Sequence, residues 1–307
     1  MGTPLWIWVA FNVGVLALLA LDLGVFHRRA HAVSMKEAGI WTAVWVFLSL
    51  LFAGGVWAGK GPEKALEFVT GYVIEYALSM DNVFVFVLIF TYFAVPAAYQ
   101  HRVLFWGILS VLVMRGTMIG VGVTLIQRFG WVMYVFGAFL VYTGLKMFFH
   151  KGAEIHPEQN PLVRLCRRLF PMTSGYADHR FFVRQNARLY ATPLFLVFVV
   201  VNATDLVFAV DSIPAIFAVT TDPFIVFTSN VCAVMGLRSL YFLLAGAMHR
   251  FIYLQEGLAV VLTFVGAKML VAGFVHIPTL LSLGIVALVL GVALAASLTI
   301  GRRGGTR

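Results

Sequence analysis

The sequence predicts an all-α, polytopic membrane protein of about nine transmembrane helices, organised as an inverted repeat of two three-helix units. Three observations carry this. Hydrophobic residues fill 61% of the 307 positions and charged residues 11%, with a mean hydropathy of +0.94, where a soluble domain carries about 25% charged residues. Nine runs, near 4–26, 38–58, 67–93, 102–127, 130–149, 193–218, 223–248, 256–275 and 278–300, are long and apolar enough to cross roughly 30 Å of hydrocarbon as helices. They are continuous and rich in Leu, Phe and Val, unlike the short alternating segments of a membrane β-barrel. The third observation is an order of unusual residues that occurs twice.

Taken from the start, Thr3-Pro4 opens the first helix as N-cap and first helical residue. That run ends in Asp22 and His27-Arg28-Arg29-Ala30-His31 rather than a small-residue cleavage site, so no cleavable signal peptide is expected. Asp22 reads as an interfacial acid within reach of those cations. Ser34-Met-Lys-Glu37 is a capping box for the second helix, which Gly59, Gly61 and Pro62 close. The first repeat then spans 67–149, a basic loop 150–192 and the second repeat 193–275. Residues 1–66 supply two preceding helices, and 276–307 a last helix with a tail containing Arg302, Arg303 and Arg307.

The repeat rests on spacing. Glu75 and Asp81 stand six apart in the third run, and Asp205 and Asp211 do the same 130 positions later; Arg115 is echoed by Arg238, and Gly144-Leu-Lys146-Met147 by Gly266-Ala-Lys268-Met269. Two triplets of odd helix number must sit inverted in the membrane, as in many secondary transporters, whose substrate site lies near the midplane. Packed antiparallel, the acidic helices are expected to bring Glu75 level with Asp211 and Asp81 level with Asp205. Residues six apart differ by about 120° around a helix, so each pair cannot share one face. Glu75 shares its face with Ser79 and Asn82, and Asp205 shares its face with Ala209 and Ser212. Either the helices break locally, as Pro214 would favour, or each pair bridges two neighbours.

Charge placement fixes an expected orientation. Fifteen Lys and Arg fall in connections on one side of the nine-helix arrangement and three on the other, which places the amino terminus outside and the carboxyl terminus in the cytoplasm. This distribution assigns the net charge of +9 to the lipid interface rather than to nucleic acid. Within the loop, Leu162, Leu165 and Leu169 alternate with Arg164, Arg167 and Arg168 as in an interfacial helix. His150, His156 and His179 are scattered and do not read as a metal site. Cys166 and Cys232 imply no disulfide framework.

Four carboxylates in a membrane interior cost on the order of 10 kcal/mol unless compensated. Carboxylate, amide and hydroxyl oxygens select hard cations, leaving Mn²⁺, Mg²⁺ and Ca²⁺ as candidates. The expected ligands are Glu75, Asp81, Asp205 and Asp211, with Ser79, Asn82, Asn202 and Ser212 as further oxygens. Repulsion among the acids would keep some protonated in the empty state, so a dication would expel protons. Arg115 and Arg238 either hold the bundle in register or balance the acids when the cation is absent. Lys146 and Lys268 read as snorkelling side chains.

At these residues the sequence resembles the TerC family of integral membrane proteins. The segments that carry the resemblance include Ser79-Met-Asp-Asn-Val-Phe84, Tyr99-Gln-His-Arg-Val-Leu-Phe-Trp-Gly107, Asn160-Pro-Leu-Val-Arg164, Arg180-Phe-Phe-Val-Arg184 and Thr204-Asp-Leu-Val-Phe-Ala-Val-Asp-Ser-Ile-Pro-Ala-Ile-Phe217 through Tyr241. The resemblance implies a bacterial inner-membrane protein and, for several members, Mn²⁺ export with acidic transmembrane ligands at the positions of Glu75, Asp81, Asp205 and Asp211. One position departs: members commonly carry Glu three residues before the Asp matching 205, where this chain has Asn202, which keeps one carbonyl oxygen and loses a charge. The expected function is thus a non-enzymatic cation exporter, with no cofactor beyond the transported ion. The competing class is a membrane accessory protein of tellurite resistance or membrane assembly. An intramembrane aspartyl protease is disfavoured, since Phe208-Ala-Val-Asp211 replaces its Gly-x-Gly-Asp context.

Overall fold

The computed structural model describes residues 3–21, 34–149, 161–173, 175–185, 188–245, 253–275 and 277–300. Asp22, the His27–Arg29 cations, His150, His156 and the tail after 300 lie outside these residues. Helices dominate: α1 Leu5–Leu21, α2 Met35–Lys60, α3 Pro62–Tyr92, α4 Ala97–Arg128, α5 Val132–Phe149, α6 Pro161–Leu169, α7 Pro193–Phe217, α8 Pro223–Met235, α9 Leu237–Ala245, α10 Leu254–Val271 and α11 Thr279–Ile300, with strands β1 Phe182–Gln185 and β2 Arg188–Ala191 between α6 and α7. Among the described residues seven helices are long and apolar enough to cross a membrane, and α8 with α9 makes an eighth span bent by 41°. The 17-residue α1 is apolar but shorter.

Local chemistry sets the boundaries. The Ser34 hydroxyl accepts from the Glu37 amide at 3.2 Å and starts α2. Gly61, at φ +90°, is a conformation open to glycine, and it divides α2 from α3, whose first residue is Pro62. Asp222 caps α8 by accepting from the Phe224 and Ile225 amides. Pro214 does not break α7, which runs through it to Phe217. It sits one turn from the end, so the bond it removes, to the Val210 carbonyl, is among the last of the helix. The break expected there occurs instead at Gly236, between α8 and α9 and two residues before Arg238.

Packing follows an antiparallel two-fold pattern. Built at Gly144, a Cβ would meet the side chain of Thr263, the Ala259 carbonyl at 2.7 Å and the Thr263 amide at 2.8 Å; built at Gly266, it would meet the Gly137 carbonyl at 2.7 Å and the Val141 amide at 2.8 Å. Each glycine of the repeated Gly-x-Lys-Met motif therefore touches residues seven and three positions before the other, so α5 and α10 are antiparallel and equivalent about one axis. The same relation recurs elsewhere: Gly71 of α3 lies against Ser229 of α8, and Gly107 of α4 against Val201 of α7. Adding 130 within the acidic helices and 122 within their partners maps one contact onto the other.

Within 150–192 the described residues form short elements. α6 forms where the Leu/Arg alternation places it, β1 and β2 pair antiparallel with Phe182 opposite Ala191, and the Tyr176 hydroxyl donates to the Phe93 carbonyl at 2.6 Å. Burial of the Tyr176 phenol pushes its pKa above the ordinary value. The bond ties this loop to the α3–α4 turn, which includes Ala94 at φ +48°. Tyr176→Phe is expected to cost about 1 kcal/mol, read as a lower melting midpoint in detergent with the helical content unchanged.

Candidate functional site

The polar centre lies where α3, α4, α7 and α8 meet. Glu75 is fully buried, and Asp205 and Arg115 are each 1% exposed. The Arg115 guanidinium reaches three side chains. Its Nη1 donates to Glu75 Oε1 and, at 3.1 Å, to Asn230 Oδ1. Its Nε and Nη2 donate to Asp205 Oδ2 and Oδ1, both at 3.4 Å. One arginine from α4 thus bridges the two carboxylates that the repeat makes equivalent. Such a triad in a water-poor interior is stable only while every charge keeps a partner.

Unused polar atoms surround it. Among the described residues, Glu75 Oε2, Ser79 Oγ, Asn202 Oδ1 and Asn230 Nδ2 are buried without a hydrogen-bond partner. The Ser212 hydroxyl stands beside the Glu75 carboxyl but outside hydrogen-bonding geometry. Buried polar groups are nearly always paired, so this concentration marks a place with coordinating capacity to spare. Asn202 lies one turn before Asp205, its amide donating to the Phe198 carbonyl at 2.7 Å. Its remaining oxygen keeps part of the donor capacity of a glutamate there. Asn82, 3% exposed, continues the Glu75 face.

The expected convergence of four carboxylates is not what forms. Glu75 is level with position 212, as the antiparallel register requires, and Gly71 is level with Ile216. The residue turned toward Glu75 is Ser212, while Asp211 points away to α5, where its Oδ1 accepts from Thr143 Oγ1 at 3.3 Å and Lys146 lies nearby. The 120° offset of a six-residue spacing is the reason. The register was legible; the face turned toward Glu75 was not. Asp81 lies in α3, but its side chain is outside the described residues. Among those described, no three His, Cys, Asp or Glu side chains gather as a metal cage. Arg238 Nη1 lies 3.2 Å from His101 Nε2. A cavity of about 20 Å³ has both Arg238 and Asp205 in its wall, with Phe86, Leu104 and Val201 among the apolar side chains around them.

Fold and site together define a polytopic α-helical membrane protein with a buried carboxylate–guanidinium centre. The chain belongs to the TerC family of integral membrane proteins, whose family model matches residues 60–304. It is 54% identical over 305 residues, 99% of this chain and 95% of the relative, to the "Uncharacterized membrane protein STKORF319" of Myxococcus xanthus. It is 52% identical over 294 residues, 93% of this chain and 91% of the relative, to the "Putative membrane-bound redox modulator Alx" of Escherichia coli K12. A protein of the same name from Photorhabdus laumondii is 45% identical over 310 residues, 98% of this chain and 97% of the relative. No solved structure matches the chain.

Proposed function

We propose that the protein is a secondary transporter of the bacterial inner membrane, amino terminus outside, that exports a hard divalent cation, Mn²⁺ foremost, in exchange for protons. One observation carries the reading: a buried guanidinium clasped by carboxylates from two symmetry-equivalent helices, with oxygens left over around it. Arg115 fills the place of a cation. The oxygens gathered at Arg115 are carboxylate (Glu75, Asp205) and amide (Asn230), with the Ser212 hydroxyl beside Glu75, and Ser79 and Asn202 one turn along the same helices, a set that suits Mn²⁺, Mg²⁺ or Ca²⁺ better than a thiophilic metal. A dication entering beside a fixed positive charge requires another positive charge to move or leave, and proton release is the natural counter-flow. Asp211, against Thr143 and Lys146, is a second carboxylate along α7 that the moving ion or proton would meet.

The test is Mn²⁺ movement across liposomes holding purified protein, with an internal pH reporter. Wild type is expected to move metal against protons, and Asp205→Asn, equal in volume and unable to balance a dication, to lose at least about tenfold in rate, the equivalent of about 1.4 kcal/mol. An accessory role, including the redox modulation named for the relatives, would instead leave wild type without flux or the isostere unaffected.

A further inference from the structure

The α3/α8 seam carries polar groups that the central site does not use: Glu67 (7% exposed) and Thr70 on α3 and Thr228 and Ser229 on α8, the last three fully buried, which lead past Gly71 to Glu75 and Asn230 of the centre. Glu67 and Glu75 are separated by about 12 Å along the helix. The three hydroxyls donate to carbonyls of their own helices: Thr70 to Leu66 at 2.8 Å, Thr228 to Phe224 at 2.7 Å and Ser229 to Val226 at 3.2 Å. Their hydrogens being committed, they have only oxygen lone pairs to offer the seam. At its inner end are the unpartnered Glu75 Oε2 and Asn230 Nδ2. At its mouth Glu67 accepts from Thr220 and is clasped by Lys64 at 2.7 and 2.9 Å, beside Asp222 paired with Lys60 at 3.0 Å.

The repeat shows that the fold alone does not demand this chemistry. The positions 130 residues beyond Glu67, Thr70 and Gly71 are Val197, Val200 and Val201, and the partner of Val201 is Gly107 where Gly71 faces Ser229. The equivalent α4/α7 seam is lined by Val197, Val200, Val201, Leu104 and Ile108, around a cavity of about 20 Å³ that Asp205 and Arg238 border at its inner end. Of two seams built alike, one is lined with oxygen and the other with hydrocarbon.

We propose that the α3/α8 seam is the route by which the cation passes between the Glu75/Asp205 centre and the outer surface, with Glu67 the carboxylate it meets at the mouth and Lys64 the tethered cation it displaces there. This rests on the reading of Glu75 and Asp205 as the cation site. At Gly71 the two helices touch: a Cβ built there would lie 2.9 Å from the Ser229 oxygen.

Two measurements test it. Glu67→Gln keeps an acceptor for Thr220 and loses the charge; Mn²⁺ flux is expected to fall by about tenfold, while the Mn²⁺-induced rise in melting midpoint, which reports the buried centre, stays as in wild type. In a background with Cys166 and Cys232 replaced by Ala, Ser229→Cys is expected to react with a charged, membrane-impermeant thiol reagent added from outside, and Mn²⁺ to slow that reaction. Wild-type flux in Glu67→Gln, even with a lowered melting midpoint, would reduce Glu67 to a staple for the α7–α8 turn and overturn the proposal. So would a Ser229→Cys thiol that stays unreactive from outside. If wild type moves no metal, the transport reading falls, and thiol reactivity alone then decides for or against the seam.

Discussion

Arg115→Gln is expected to make the fold depend on divalent cation. In metal-free detergent the variant should lose on the order of 3–5 kcal/mol, the usual cost of removing one partner from a buried charge cluster, because Glu75 and Asp205 would remain buried with no cation between them. Mn²⁺ should restore much of this. A ligand that binds only the folded state adds about 2.7 kcal/mol at a hundred times its dissociation constant, and a dication meeting two unpaired carboxylates should bind more tightly than one that must first displace a guanidinium. The measurement is the melting midpoint of wild type and variant with and without Mn²⁺. The expected pattern is a low midpoint that metal raises strongly in the variant and weakly in wild type. A variant that is destabilised but indifferent to Mn²⁺, Mg²⁺ and Ca²⁺ would leave Arg115 a purely structural tie and count heavily against a cation site between α3 and α7.

That prediction needs the particular partners of Arg115, which the sequence supplied only in outline. Composition and run length are enough for the membrane class, because every backbone group in hydrocarbon must bond within its own helix. The repeat could be read from Glu75/Asp205, Arg115/Arg238 and Gly144/Gly266, and the antiparallel register of α3 and α7 followed from it to within one residue. What spacing could not say is which of two acids six residues apart turns inward, since that depends on where α4, α5 and α8 lie. Asp211 facing Thr143 is the result. Nor did the repeat foretell that Arg115 bridges Glu75 of one half and Asp205 of the other, or that Arg238 lies by His101. Glu67 gave no motif at all. Its one legible signal was position, one and two helical turns before Gly71 and Glu75 on the same side of α3.

The second large effect belongs to the α5/α10 pair. Gly266→Leu should prevent accumulation of folded protein, because the first added carbon already lies within 2.7–2.9 Å of the Gly137 carbonyl, the Val141 amide and the Leu140 Cβ. None of these is the far end of a flexible side chain, so relief requires the helices to separate. Overpacking that neighbours can absorb costs about 1–3 kcal/mol; here the loss should exceed that range, since close backbone approach at small residues is what holds helices together in lipid. Gly144→Leu should fail equally, its contacts with Ala259 and Thr263 being the two-fold image of the first set. Gly54→Leu, at a helical glycine with nothing within 4 Å, controls for leucine in place of glycine and should be tolerated. The readout is the fraction of monodisperse protein extracted from membranes and its melting midpoint. Equal yields for Gly266→Leu and Gly54→Leu would mean that α5 and α10 are not in contact as described. The pair matters beyond stability because it joins the two repeats at a contact that is the same from either side. On the proposed transport reading, a frame of that symmetry can stay fixed while α3/α8 and α4/α7 part in turn, whereas the Arg115 bridge would be remade at every cycle.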